Sequence, residues 1–331
     1  MQTTTQNQQP VPGLLHSLCL DGNGGATAPS DPASLNLKNA PEHLWLHFDY
    51  TATGAREWLQ ENFQLNEIAL DGLFSDDSRP HVLKRADHLL LVLRGVNLNP
   101  GSDPEDMVSL RIWCDGQRLI STRRRALLST EDMLNTLRDQ SGPKQIPELL
   151  TEWIDRIIWR MSDTVDGLEE SLSDTEEQLF TAAPREMRST LLRLRQQSIS
   201  IRRYIAPQRE AINRLISEPV SWLDEMTRLR LRSIADRQIR HIEDIDTVRE
   251  RAGMAQEELA STVAEQMNRR AYVLTIVAAI FLPLGFFTGL LGINVGGMPG
   301  VESSDAFWLV VALCGLITAL LMAVFYWKRW L

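Results

Sequence analysis

Two uncharged apolar runs limit what this chain can fold into. Ala271 to Leu291 and Ala306 to Trp327 contain no charged residue. Each approaches the roughly 20 apolar residues that cross a hydrocarbon core. The connection between them opens with Gly292-Ile293-Asn294 and has no Lys or Arg. Arg269 and Arg270 precede the first run, and Lys328 and Arg329 follow the second. The positive-inside rule then predicts that both ends of the hairpin face the cytoplasm and that the turn faces out, leaving about 270 residues of soluble chain in the cytosol.

The first run is more than a generic anchor. Leu274, Ala278, Leu282, Gly285, Gly289 and Gly292 recur at helical spacings of three and four. Small residues on one face let helices approach closely. Packing between copies and a path for ions both account for such a stripe. Pro283 removes one backbone bond in mid-span and leaves the Ala279 carbonyl to find another partner.

Composition narrows the class. The net charge is −9, from 43 acidic and 34 basic residues. That weighs against a nucleic-acid partner and is compatible with a protein that gathers cations. Cys19, Cys114 and Cys314 stand alone, so neither a disulfide framework nor a zinc knuckle is expected. The start, MQTTTQNQQPVPG, lacks the basic and apolar regions of a signal peptide.

Residues 1–40 read as a mobile tail, with Leu14–Gly22 as one short strand candidate. Residues 41–128 mix strand and helix signals, a small α/β domain within an overall α+β chain. His43–Tyr50 alternates with period two, Thr53–Phe63 suits a short helix, and His88–Gly95 suits a buried strand. Val108–Cys114, Asp115-Gly116 and Gln117–Thr122 spell a hairpin with a type I′ turn. No glycine-rich nucleotide motif and no nucleophile–base arrangement is present, so an enzyme is not expected. His43 and His47 share a strand face with Asp49. They are half of a metal site or, more ordinarily, the polar face of a strand. His16, His81, His88 and His241 are isolated.

Residues 129–218 are predicted to form a helical hairpin region, with Ile146 to about Phe180 and Pro184 to about Ile216 as antiparallel partners. Residues 219–270 form the cytosolic part of a last helix that continues through the membrane, roughly 100 Å in all at 1.5 Å per residue. Along it, Leu231, Ile234, Gln238, His241, Ile245, Val248, Ala252, Ala255, Leu259, Thr262 and Gln266 keep a 3-4 spacing. Such a seam implies helix association, either a supercoil or a ring of helices enclosing water near its polar end.

These parts together resemble the CorA metal-ion transporter family from about Leu44 onward: a cytosolic α/β domain, a helical hairpin, one long helix entering the membrane, two C-terminal spans, a Gly-x-Asn loop and a basic tail. Within the family, Gly292-Ile293-Asn294 in place of Gly-Met-Asn resembles the ZntB-type zinc transporters. Met298-Pro299-Gly300 lacks the acidic residue common after Met-Pro in the magnesium channels, and Gly285 replaces their common Thr. The resemblance implies a homopentameric funnel in a bacterial inner membrane. Its parts are a first span (271–291) lining the pore, a periplasmic signature loop (292–305), an outer second span (306–327) and a cytosolic basic tail (328–331).

It further implies zinc as transported substrate, no cofactor, and coupling to protons. Asn294 would offer a ring of carboxamides to a hydrated ion, weak enough for the ion to leave again; it equally suits a helix cap. Glu302 and Asp305 would raise the local cation concentration. Leu274 and Leu282 are candidate constrictions, with Ala278, Gly285 and Gly289 as wider points. Glu257, Thr262 and Gln266 are placed in the cytosolic pore. Neither span holds His, Asp or Glu, so no tight metal site is expected there. A magnesium, cobalt or nickel channel driven by membrane potential, a zinc exporter and a non-transporting membrane-anchored scaffold are the other readings.

Overall fold

The computed structural model describes residues 11–76, 79–179, 181–292 and 305–328. It divides into two units, one ending at Gln256 and the other beginning at Glu257.

The first unit is built on a seven-stranded sheet in the order β2-β1-β3-β7-β6-β5-β4. Its strands are β1 (Leu14–Leu20), β2 (Ala26–Thr27), β3 (Leu44–Asp49), β4 (His81–Arg85), β5 (His88–Gly95), β6 (Val108–Cys114) and β7 (Arg118–Arg123). Only β3 and β7 run parallel; the other neighbours are antiparallel. Helices α1 (Ala55–Phe63) and α2 (Glu67–Phe74) follow β3. Then come α3 (Leu128–Arg138), α4 (Ile146–Glu177), α5 (Pro184–Ser217) and α6 (Glu225–Leu291).

Alternate side chains along the strands feed two cores. Leu44, Leu46, Phe48, Leu90 and Trp113 pack with Leu59, Phe63, Leu70 and Leu73 of α1 and α2. Trp45, Leu89, Leu91, Leu93 and Ile112 pack on the opposite face with Trp153, Ile157, Ile212 and Leu231 from α4, α5 and α6. Because both faces are covered, β5 reads as a continuous apolar run rather than an alternating one.

Three expectations change. The stretch 1–40 is not simply a tail: β1 pairs along β3 from Leu14↔Phe48 to Cys19↔Leu44 and extends the sheet. The β6–β7 turn is not type I′. The positive φ falls on Gly116 (+86°) and not on Asp115, so glycine occupies the first central position, the type II′ pattern. Asp115 instead accepts bonds from the Gln117 and Arg118 amides through its side chain. A Cβ on Gly116 would stand 2.3 Å from Trp222, which packs over the turn.

The third change concerns the 3-4 seam. From Leu231 to Ala255 it is buried within the one chain. Gln238 donates to the Ile205 carbonyl of α5 at 3.1 Å, and His241 Nε2 lies 3.1 Å from the Ser162 hydroxyl of α4. Arg237–Asp155 at 2.5 Å, Arg202–Asp246 at 2.7 Å and Arg251–Glu176 flank it. The 3-4 pattern reports contact with a helix but does not say whose helix it is; α4 and α5 fill that role.

In the second unit α6 ends at Leu291, and α7 (Ala306–Trp327) is a 22-residue apolar helix. Both are long and apolar enough to cross a membrane.

Candidate ion path along the membrane-spanning helices

Helix α6 reaches Leu291 despite Pro283 within it. Its two threonines in the apolar run bond back to their own helix. Thr275 Oγ1 donates to the Ala271 carbonyl at 2.9 Å, and Thr288 Oγ1 to the Leu284 carbonyl at 2.9 Å. Both hydroxyls are thus satisfied without water, as a hydrocarbon setting demands. The Gly292 amide closes the last turn on the Thr288 carbonyl at 3.0 Å.

Two faces of this segment differ. Ile276, Ile280, Pro283, Leu284 and Phe287 are half-buried and share one side. Next to that side Tyr272, Thr275, Ile276 and Ala279 line a groove with Phe325 of α7. Leu274, Ala278, Leu282, Gly285 and Gly289 are all exposed, Leu274 and Leu282 at 71% each. Apart from the neighbouring residues and backbone of its own helix, no described atom lies within 4 Å of a Cβ built on Gly285 or Gly289. At 100° per residue the mean directions of the two faces lie about 170° apart. The groove that α7 lines is centred about 110° round the helix from the small-residue stripe, and among the described residues nothing covers the stripe.

Of the expected cytosolic positions, Thr262 and Gln266 are out of helical phase with that stripe. Thr262 and Gln266 follow Ala255 and Leu259 at seam spacing, with Leu259 buried, Thr262 half-buried and Gln266 exposed. Thr262 is about 120° from Leu274 around the helix, and Gln266 the same from Ala278. Glu257 is exposed and lies about 20° from Leu282 around the helix, at the edge of the stripe. The residues about five turns below Ala278, Leu282, Gly285 and Gly289 are Ala260, Ala264, Met267 and Ala271. All four are exposed. A step of 18 residues, five full turns, marks them in the sequence.

Of the loop, Ile293, Asn294 and Glu302 lie outside the described residues. Asp305 sits at the start of α7, where its backbone carbonyl accepts from the Leu309 amide at 3.0 Å. A carboxylate there suits the positive end of the helix.

The His43, His47 and Asp49 triplet does not converge on a metal. His43 precedes β3 at a φ of +60°. Asp49 accepts from Thr51. His47 is fully buried, and both ring nitrogens are taken. Nδ1 is 2.8 Å from the Ser121 hydroxyl, and Nε2 accepts from Arg123 Nε at 3.1 Å. The Arg123 bond fixes the tautomer with the proton on Nδ1. Burial first, then the nearby Arg123 and His16, hold His47 well below the usual histidine range. Among the described residues no three His, Cys, Asp or Glu side chains gather in a way that could hold a metal ion.

The sequence profile described as "CorA-like Mg2+ transporter protein" matches residues 41–329. The chain belongs to this family. Within it, the divalent cation transporter CmaX of Pseudomonas aeruginosa is 39% identical over 328 residues, 96% of this chain and 97% of that protein. The zinc transport protein ZntB of Yersinia enterocolitica is 35% identical, with 97% of each chain covered. The solved full-length CmaX superposes with a TM-score of 0.83 at 38% identity, covering 97% of this chain and 99% of that one. The CorA magnesium transporter of Methanocaldococcus jannaschii shares the fold, with a TM-score of 0.80 over 98% of this chain and 100% of that one at 17% identity.

Proposed function

We propose that this chain is a divalent-cation transporter of a bacterial inner membrane, with zinc as its principal substrate. It works as a homopentamer in which α6 lines the pore and α7 stands outside it. The observation that carries this reading is the bare small-residue face of α6, turned away from the groove that α7 lines, in a chain matching CmaX and ZntB over 96–97% of its length. Leu274 and Leu282 narrow the path, while Ala278, Gly285 and Gly289 widen it. Ala260, Ala264 and Met267 extend it on the cytosolic side in the same phase. Thr262 and Gln266 belong instead to the seam that packs the helix on its own chain, and Glu257 lies beside the path.

Gly292, Ile293 and Asn294 form the outer mouth, and Glu302 and Asp305 draw cations toward it. Lacking thiolate, imidazole or carboxylate on the α6 face, the path passes the ion with water around it. An inside-negative potential favours cation entry by about 2.3 kcal/mol per charge per 100 mV, so the direction is uptake. Proton coupling follows the ZntB resemblance of Gly292-Ile293-Asn294.

A magnesium, cobalt or nickel channel driven by potential alone is the second reading, favoured by the description of the family itself. The test is flux in liposomes with zinc and magnesium offered separately, with and without an inward-acid gradient. Zinc flux enhanced by the gradient, with little magnesium flux, supports the first reading. Magnesium flux indifferent to the gradient supports the second. Normal flux in an assembled Asn294→Ala variant removes Asn294 from the mouth.

A further inference from the structure

The α4–α5 hairpin carries opposite charges on its two helices at the same height. From Asp163 to Glu177, α4 has seven carboxylates and no basic residue. From Arg185 to Arg203, α5 has six arginines and a single glutamate. The helices meet at the turn near residue 181, so Asp174 and Arg188 lie about equally far from it. Yet among the described residues no ion pair joins the two stretches. Only Glu176 and Arg202 are in ion pairs, and both are paired with α6. Among the described residues, the remaining carboxylates of the α4 stretch and arginines of the α5 stretch are in no ion pair with one another, and most are exposed. Asp163, Asp166, Glu170, Asp174 and Glu177 are exposed at spacings of three and four, where like charges repel. The arginine face also exposes Leu192 (48%) and Ile199 (51%), and the acidic face begins at Trp159 (58%).

We infer that α4 of one copy docks against α5 of the next copy, with the carboxylates of the first facing the arginines of the second. This rests on the reading that the chain assembles with copies of itself. A rotation about an axis parallel to the hairpin brings one copy's α4 beside its neighbour's α5 without changing height. The two stripes therefore meet in register. Two different surfaces of one chain then form a heterologous contact that closes into a ring. Complementary charge of this kind sets register and rejects wrong pairings more than it adds affinity. The exposed apolar side chains supply the contact area between the charges.

The test uses full-length chains carrying tags of two sizes, expressed together. One chain carries R188K/R193K, giving amines that carbodiimide joins to carboxylates within touching distance. A product containing both tags is necessarily between copies. The expected result is at least tenfold more two-tag product than with two unsubstituted chains, with peptides linking the substituted α5 positions to residues 163–177. Adding E170Q/D174N to the other chain should lower the yield severalfold. An oligomeric preparation without such links, or with links only inside one chain, overturns the inference while leaving assembly intact. A monomeric wild-type chain overturns assembly and the inference together. Charge reversal gives a second measurement. E170R/D174R and R188E/R193E should each weaken assembly, and all four together should restore it. Failure of the four-site variant to recover, with both pairs folded, also overturns the inference.

Discussion

Replacing Ile245 with alanine separates a seam inside the chain from a seam between copies. Ile245 is fully buried in α6, in the seam that faces α4 and α5. Removing its side chain leaves a cavity, and Ile→Ala changes at such sites cost about 2–5 kcal/mol. With a urea slope of about 2 kcal/mol per molar, the unfolding midpoint should fall by about 1–2.5 M. Tryptophan fluorescence reports it, since Trp45 and Trp153 meet edge-on at 5.0 Å in the core on which α4 and α6 also pack. The shift should not depend on protein concentration, because both sides of the contact belong to one chain. Leu274→Ala, at a side chain 71% exposed within the chain, should move this transition by less than about 0.5 kcal/mol. A shift for Ile245→Ala that vanishes at high protein concentration, or loss of oligomer with an unchanged midpoint, would refute the intrachain assignment.

Further outcomes are expected elsewhere. Leu274→Gly and Leu282→Gly should raise ion leak in liposomes, and unchanged leak would move the constriction off this face. Ala264→Phe should cut flux at least tenfold, whereas Thr262→Val should leave it within about twofold, since only the former is in phase with the bare stripe; the reverse result would restore Thr262 to the path. His47 is neutral when folded and protonates below about pH 6.5 when unfolded, so its contribution to stability is intact above that pH and is lost as pH falls toward its depressed native value. The urea midpoint should drop in that window, and His47→Gln should make the pH slope shallower by about one proton. Gly116→Ala should cost about 1–3 kcal/mol through its positive φ and its clash with Trp222, and Trp222→Ala beside it should relieve only the clash.

Much of this arrangement is legible in residue order. The uncharged runs define the spans, and α7 occupies the stretch marked by its lack of charge. Strong local signals fix β5 and β6 at their observed ends. Other parts depend on context. Helix α2 is one short helix whose Asn66 cap, a bond to the Ala69 amide, is an ordinary asparagine until its neighbours are known. Strand β1 falls within the Leu14–Gly22 candidate, but its place at β3 depends on a pairing that the local sequence does not specify. His47 looks like a ligand in sequence because nothing there reveals that Ser121 and Arg123, over 70 positions on, occupy its nitrogens. At the candidate path, periodicity identified the stripe in the membrane. Below it, polarity favours Thr262 and Gln266, whereas helical phase favours Ala260, Ala264 and Met267.

The parallel pairing of β3 with β7 has a consequence for how the chain is made. The sheet stays in two parts until β7 has been synthesised, because β3 finds no other partner on that side. Once Arg123 is complete, roughly 150 more residues precede Ala271, which at about 5–20 residues per second gives about 7–30 s. Mixed α/β domains close in well under that time. The sheet is therefore finished before the ribosome has produced the first apolar span. Delivery to the membrane begins with a chain whose polar half already holds its shape, and the lipid receives only the two helices that follow.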